Sequence, residues 1–193
     1  MKTDYLQPLI ERIEYILQSK DRVIVAIDGC AASGKTTASK YLGDYFDGNV
    51  IHMDDFFLPF SMRTEERMAL PAGNIHYERL TEEICKPLSE GREFTYTAYD
   101  CSTGGYKESR QMQPKKVTIF EGAYCMYPGK IPYDVSVFFK SREAVQYERV
   151  LKRNGPEKLE AFKNRFIPME NKYIQTFQIA ETAEFFFDTS DFF

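Results

Sequence analysis

A chain of 193 residues, 43% hydrophobic and 28% charged, is long enough to bury a core without disulfide or metal staples, and is read as one domain over 1–193. Its net charge of −4 supplies no general positive field, which argues against nucleic acid as a partner and confines any basic site to a local cluster. The four cysteines, Cys30, Cys85, Cys101 and Cys125, are scattered, and no apolar run approaches the roughly 18 residues of a membrane span, so the expected setting is a reducing cytoplasm with no membrane partner.

The chain opens on one apolar stripe, Leu6, Leu9, Ile10, Ile13, Ile16 and Leu17, which predicts an amphipathic helix. Glu11, Arg12 and Glu14 lie among these residues, a mixture unlike a secretory leader. Arg22-Val23-Ile24-Val25-Ala26-Ile27-Asp28 then has the length and β-branching of a buried strand. It runs into Gly29-Cys30-Ala31-Ala32-Ser33-Gly34-Lys35-Thr36, a full match to G-x-x-x-x-G-K-[ST], and Ala38, Tyr41, Leu42, Tyr45 and Phe46 follow at helical spacing. Strand, Gly-rich turn and helix N-terminus together make a phosphate cradle. The glycines let successive N–H groups turn inward, and the helix dipole adds positive potential.

The ligand this implies is a nucleoside triphosphate, held by Gly29, Ala32, Ser33, Gly34, Lys35, Thr36 and Thr37. Lys35 is placed to reach the β- and γ-phosphates, and Thr36 to hold Mg²⁺ through its hydroxyl. Cys30, beside a helix N-terminus, is a candidate for a lowered thiol pKa, although a small loop residue is the plainer reading.

Val50-Ile51-His52-Met53 reads as a second strand ending at Asp54-Asp55. Residues 56–74 are long for a plain connection and carry Pro59, Pro71 and Gly73, with a short helix expected over Glu65–Ala69. Tyr77, Leu80, Ile84 and Leu88 mark a helix closed by Gly91. Residues 94–99 alternate like a strand, and Gly104-Gly105 can turn a hairpin back through 106–113. Further strands are expected at 117–120, 134–139 and 184–187, with helices over 142–153 and 156–178. Along the last helix, Leu159, Phe162, Phe166, Met169, Tyr173 and Phe177 read as core. His52 reads as an ordinary strand residue.

Five apolar strands separated by helices predict an α/β, three-layer fold with a five-stranded parallel sheet and a small β-hairpin excursion on its rim. Ligands of such sheets sit beyond the carboxyl ends of the strands, where the phosphate loop, Asp54 and Glu121 meet. Phosphoryl transfer is mostly positioning and charge stabilisation, with a carboxylate to take the acceptor proton. Asp54 is the candidate base, and Glu121 the candidate Mg²⁺ partner beside Thr36. Arg149, Lys152 and Arg153 share one side of a helix, and over 142–165 this segment is read as a lid whose cations face the triphosphate. Insertions at about 56–76 and 92–114 are assigned to the acceptor, with Arg63, Arg67, His76, Tyr77, Tyr99 and Asp100 as candidate contacts.

Three segments carry a family resemblance: Ile27-Asp28-Gly29 through Thr37, His52-Met53-Asp54-Asp55-Phe56-Phe57, and Phe120-Glu121-Gly122. With Gly73-Asn74-Ile75-His76-Tyr77, Tyr99-Asp100 and Arg149-Val150-Leu151-Lys152-Arg153 in matching order, the chain resembles the uridine kinase and phosphoribulokinase-like kinases from about residue 22 to 190. The resemblance implies a P-loop kinase core, ATP·Mg²⁺ as donor and a hydroxyl of a small metabolite as acceptor. It matches Asp54 to the catalytic aspartate, Phe57 to an aromatic ring beside the base, and Tyr99 to a base-contacting tyrosine. The chain departs from the pattern at His76, where nucleoside kinases hold the ribose with an aspartate. It departs again after Tyr99-Asp100, where Cys101-Ser102-Thr103-Gly104-Gly105 supplies neither the histidine nor the arginine that reads the base.

The expectation is therefore an ATP-dependent small-molecule kinase, with a nucleoside among the candidate acceptors and a homo-oligomer left open. The alternative is a nucleotide-binding regulatory protein that keeps the fold without acceptor chemistry.

Overall fold

A computed structural model describes residues 4–192. Helix α1 (Gln7–Leu17) precedes strand β1 (Val23–Gly29), the phosphate loop and helix α2 (Lys35–Tyr45). Strand β2 (Asn49–His52) leads into a 3₁₀ turn over Met53–Phe56, a loop and the short helix α3 (Glu65–Ala69). Helix α4 (Tyr77–Leu80) continues through a π turn over Thr81–Cys85 into α5 (Lys86–Ser89). Strands β3 (Phe94–Asp100) and β4 (Gly105–Met112) form the predicted hairpin, and β5 (Val117–Glu121) and β6 (Val135–Lys140) return to the main sheet. Helices α6 (Glu143–Asn154) and α7 (Pro156–Ala161), a π turn over Phe162–Phe166, α8 (Ile167–Phe177), α9 (Ile179–Thr182) and strand β7 (Phe185–Asp188) complete the order.

The main sheet has five strands in the order β2-β5-β1-β6-β7, every pair parallel. Side-chain alternation divides it into two apolar faces. Val23, Val25 and Ile27 of β1, with Val117, Ile119, Val135 and Val137, pack under α1 and α2. Ala26, Ile51, Phe120 and Phe138 face the opposite way and pack against Tyr77, Leu80, Ile84, Leu88 and Tyr173. This is the predicted three-layer architecture. The hairpin stands apart, tied to the turn after β2 by Phe56 stacked on Tyr96 at 5.4 Å and by Arg110 paired with Asp55 at 2.6 Å.

Both π turns have the same local cause. Each is followed two residues later by a proline inside the helical run, Pro87 in one case and Pro168 in the other. Proline lacks the N–H that the preceding turn would need, and a wider turn accommodates the lost bond.

One sequence expectation fails here. The stripe of the last helix was read as core throughout, yet Phe166 is 36% exposed and Phe162 and Met169 are only half-buried, whereas Tyr173 is fully buried. Tyr45, placed on the apolar stripe of α2, is also exposed.

Candidate active site

The turn between β1 and α2 is shaped by two glycines with different tasks. Gly34 ends the loop at φ 96, a left-handed conformation that glycine adopts without strain, and so places the N-terminus of α2 against the loop. Gly29 (φ +137) lies where β1 passes β6, and an added Cβ would stand 2.1 Å from the carbonyl oxygen of Phe139. Its contribution is this close approach, since it does not line the cavity in front of the loop. Lys35 Nζ donates to the carbonyls of Gly29 at 2.9 Å and Cys30 at 2.7 Å, so its ammonium is held over the loop.

That cavity, about 360 Å³, is lined by Ala31 through Thr37, Asp54, Glu121, Arg149, Arg153, Phe162 and Glu170. Arg149 reaches the loop directly, its Nη1 donating to the Ala32 carbonyl at 3.2 Å and its Nη2 to the Thr189 carbonyl at 2.7 Å. Lys152 is exposed and is not among the lining residues, so the predicted basic cluster contributes two cations rather than three. Ser33 Oγ is buried without a protein partner. An orphaned hydroxyl in a loop of inward-turned amides fits a phosphate ligand.

Glu121 ends β5 and anchors a polar chain. Its Oε1 accepts from Thr36 Oγ1 at 3.0 Å, and its Oε2 lies 2.6 Å from His52 Nδ1. Burial pushes the Glu121 carboxyl up, but the bond to His52 and the Lys35 charge outweigh it and hold the pKa below the usual value. The same bond raises the His52 pKa, against the opposing effect of burial. Among the described residues no three His, Cys, Asp or Glu side chains gather as a metal cage. A hydroxyl and an ionised carboxylate beside a phosphate cradle still suit Mg²⁺, which keeps several waters and takes its other ligands from phosphate. Thr36 and Glu121 would hold it.

Asp54 follows β2 on the 3₁₀ turn and opens onto the cavity. Its pKa is raised by burial and by the Glu121 charge, partly offset by Lys35 and His52. A second cavity of about 370 Å³ begins where the first ends, and the two share Asp54, Ala123, Phe162 and Glu170. Phe57 and Asn74 reach it because the strand-like segments around them pair: Phe57 bridges Ile75, and the Leu58 amide donates to the Asn74 carbonyl at 2.7 Å. Arg63 lines it as expected.

The other predicted acceptor contacts lie elsewhere. Arg67 braces its own loop, pairing with Glu78 at 2.9 Å and donating to the Gly73 and Ile75 carbonyls. His76 Nδ1 caps α4 by accepting from the Arg79 amide. Tyr77 is core, its hydroxyl donating to the Tyr124 carbonyl at 2.8 Å. Tyr99 is buried behind Phe60, accepting from its amide at 3.2 Å, and Asp100 closes the hairpin turn on Ser102. Each spends its polar group on a protein partner, near or far in sequence, and spacing does not distinguish that from a ligand contact.

Several site residues were not expected from the sequence. Glu170 of α8 lines both cavities, accepts from the Ala31 amide at 2.9 Å, and is pushed by burial up to about 7. Phe162, Phe166 and Met169 form part of the second cavity instead of the core. A signal was present: Glu170 falls on the apolar stripe itself, four residues after Phe166 and three before Tyr173. His52 belongs to the polar chain through Glu121 to Thr36 and is more than a strand residue. Burial raises the Cys30 thiol pKa, against the lowered value its place beside a helix N-terminus allowed and in keeping with the plainer reading of a small loop residue.

No family model matches the chain. A uridine kinase of Anoxybacillus flavithermus is 26% identical over 181 residues, covering 81% of this chain and 82% of the relative. Among solved structures, a possible uridine kinase from Bacillus stearothermophilus superposes with a TM-score of 0.64 at 20% identity, over 94% of this chain and all of the other. A putative fructose transport system kinase from Silicibacter superposes at 0.69 and 19%, over 93% and 98%. Fold and loop together are those of the P-loop three-layer architecture that these kinases share. In sequence and fold the chain is similar to the uridine kinase and phosphoribulokinase-like kinases.

Proposed function

We propose that this protein is an ATP- and Mg²⁺-dependent kinase, acting as one domain, that phosphorylates a hydroxyl of a small metabolite. The observation that carries the reading is the meeting of two cavities at Asp54: a phosphate cradle on one side and a partly apolar chamber on the other. The hydroxyl oxygen of the acceptor bonds to the γ-phosphorus while the bond to the β–γ bridging oxygen breaks. Asp54 takes the hydroxyl proton, and ADP leaves with the electron pair. A carboxylate with a raised pKa is better matched to that proton than an ordinary one. Lys35, Arg149 and Arg153 offset charge on the phosphoryl group, and bound Mg²⁺ adds Lewis acidity at the phosphates. Thr36 and Glu121 orient its shell, with His52 fixing Glu121.

The retained acids weigh against a regulatory protein without acceptor chemistry. Four free cysteines support a reducing compartment, and among the described residues no helix is long and apolar enough to cross a membrane. The reading is tested by ADP release from Mg·ATP with nucleosides, pantothenate and sugar phosphates offered in turn, using Asp54→Asn as the blank. Asp54→Asn is expected to bind ATP normally and to lose at least about a hundredfold in transfer. Weakened ATP binding with unchanged turnover would remove Asp54 from the base role.

A further inference from the structure

The second cavity is polarised. Its acids, Asp54 and Glu170, stand at the junction with the phosphate cradle, whereas its bases, Arg63, Lys158 and Arg165, line only the part away from the junction. Phe57, Tyr124 and Met169 contribute apolar wall. We propose that the phosphoryl acceptor is an anion: a small hydroxy compound with an apolar body and, remote from its reacting hydroxyl, a carboxylate or phosphate group held by Arg63, Arg165 and Lys158. This rests on the kinase reading and names the substrate class of that same site.

The three cations keep their charge available. Arg63 Nε donates to the Leu58 carbonyl at 2.7 Å and its Nη2 lies 3.3 Å from Cys101 Sγ, while the guanidinium stacks 4.3 Å over the Phe60 ring. Arg165 lies 5.7 Å over the Phe166 ring. These partners are neutral, and no described carboxylate pairs with Arg63, Arg165 or Lys158. Arg67, Arg79 and Arg110, by contrast, each sit on a carboxylate. In a chain with 29 acids against 25 lysines and arginines, three uncompensated cations around one aromatic chamber call for a negative ligand.

The arrangement also fixes direction. The bases attract an anionic end to the part of the chamber away from the junction, so the hydroxyl is left facing Asp54. Asn74 lines the same chamber, is 7% exposed, and its Oδ1 has no protein partner. A second hydroxyl or an amide N–H on the body of the ligand would supply one. At about 370 Å³ the chamber lies at the small end of ligand pockets, enough for a single ring or short chain with its two end groups. The remote anion takes no part in the bond changes.

The test uses the full chain with Mg·ADP and matched probes in calorimetric titration. These are pantothenate against pantothenol, and para-hydroxymethylbenzoate and para-hydroxymethylphenyl phosphate against para-hydroxymethylbenzamide. Wild type is expected to bind an anionic member at least about tenfold more tightly than its neutral twin, and the larger preference distinguishes carboxylate from phosphate. In a Lys158→Gln, Arg165→Gln double variant, whose changed side chains are both exposed, the preference is expected to shrink to about threefold or less. Neutral twins, uridine or cytidine binding as tightly as the anions, no anion binding at all, or a preference unchanged in the double variant would each overturn the proposal. Anion-selective binding that never leads to transfer from Mg·ATP would support the charge assignment and sink the kinase reading instead.

Discussion

Glu170 Oε2 accepts a hydrogen bond from the backbone amide of Ala31 at 2.9 Å, tying α8 to the phosphate loop across 139 positions of sequence. The bond places a carboxyl group at the seam between the two cavities, where burial lifts its pKa from the ordinary 4.5 to about 7. The folded chain therefore binds more protons than the unfolded chain between those two values, and stability falls as pH rises through that window. Glu170→Gln keeps an acceptor for Ala31 and removes the titration. It is expected to match wild type near pH 4 and to exceed it by up to about 3 kcal/mol near pH 8 in urea unfolding. Parallel stability curves at the two pH values would contradict the shift.

His52 holds Glu121, and Glu121 meets Thr36. His52→Ala is expected to raise the Mg²⁺ concentration needed for half-maximal transfer by about tenfold, leaving the acceptor KM nearly unchanged. The raised His52 pKa adds a pH signature. The pair stabilises the fold below the ordinary value of 6.5, and that contribution is lost as pH rises through the raised pKa. The stability gap between wild type and His52→Ala should therefore narrow from pH 6 to pH 9, measured by thermal unfolding.

Gly29→Ala is expected to destabilise the fold by roughly 3 kcal/mol, because the methyl group meets the Phe139 carbonyl at 2.1 Å and the backbone holds φ +137. Gly129→Ala is the control. It also has positive φ (+72) but nothing within 4 Å of the added carbon, so the cost should be about 1 kcal/mol. Equal losses in urea titration would show that conformation, and not the β1–β6 approach, sets the requirement at Gly29.

Asp28 is fully buried and accepts from the amides of Gly29 and Met126 and from the Tyr173 hydroxyl at 2.8 Å. Tyr173→Phe removes one donor from a buried carboxylate and is expected to cost about 1–3 kcal/mol by urea unfolding. An unchanged midpoint would mean that Asp28 is satisfied without Tyr173.

The donor half of the site was legible because it is written in consecutive residues. A loop that must curl, a lysine that must reach back and a threonine at the helix start lie within residues 29–36, and the structure brings them to one cavity apart from Gly29, which serves the turn. Of the residues assigned to the acceptor, only Asp54, Phe57 and Arg63 line the second cavity. His76, Tyr77, Tyr99 and Asp100 have the chemistry of ligand contacts but spend it on a helix cap, a core carbonyl, the Phe60 amide and a hairpin turn. Phe162 and Met169 show the reverse error, side chains with core periodicity that face a chamber.

The sequence by itself determined the parallel sheet, the phosphate loop and the acids at the strand ends, because strand alternation, glycine conformation and helix capping are local properties of neighbouring residues. Only the tertiary structure decided which residues line the chamber beside the phosphate cradle. That chamber draws on the turn after β2, the loop around Asn74, the residues after β5 and the segment from Lys158 to Glu170. A helix face carries the same apolar period whether it meets the core or an open cavity, and packing between distant segments settles which.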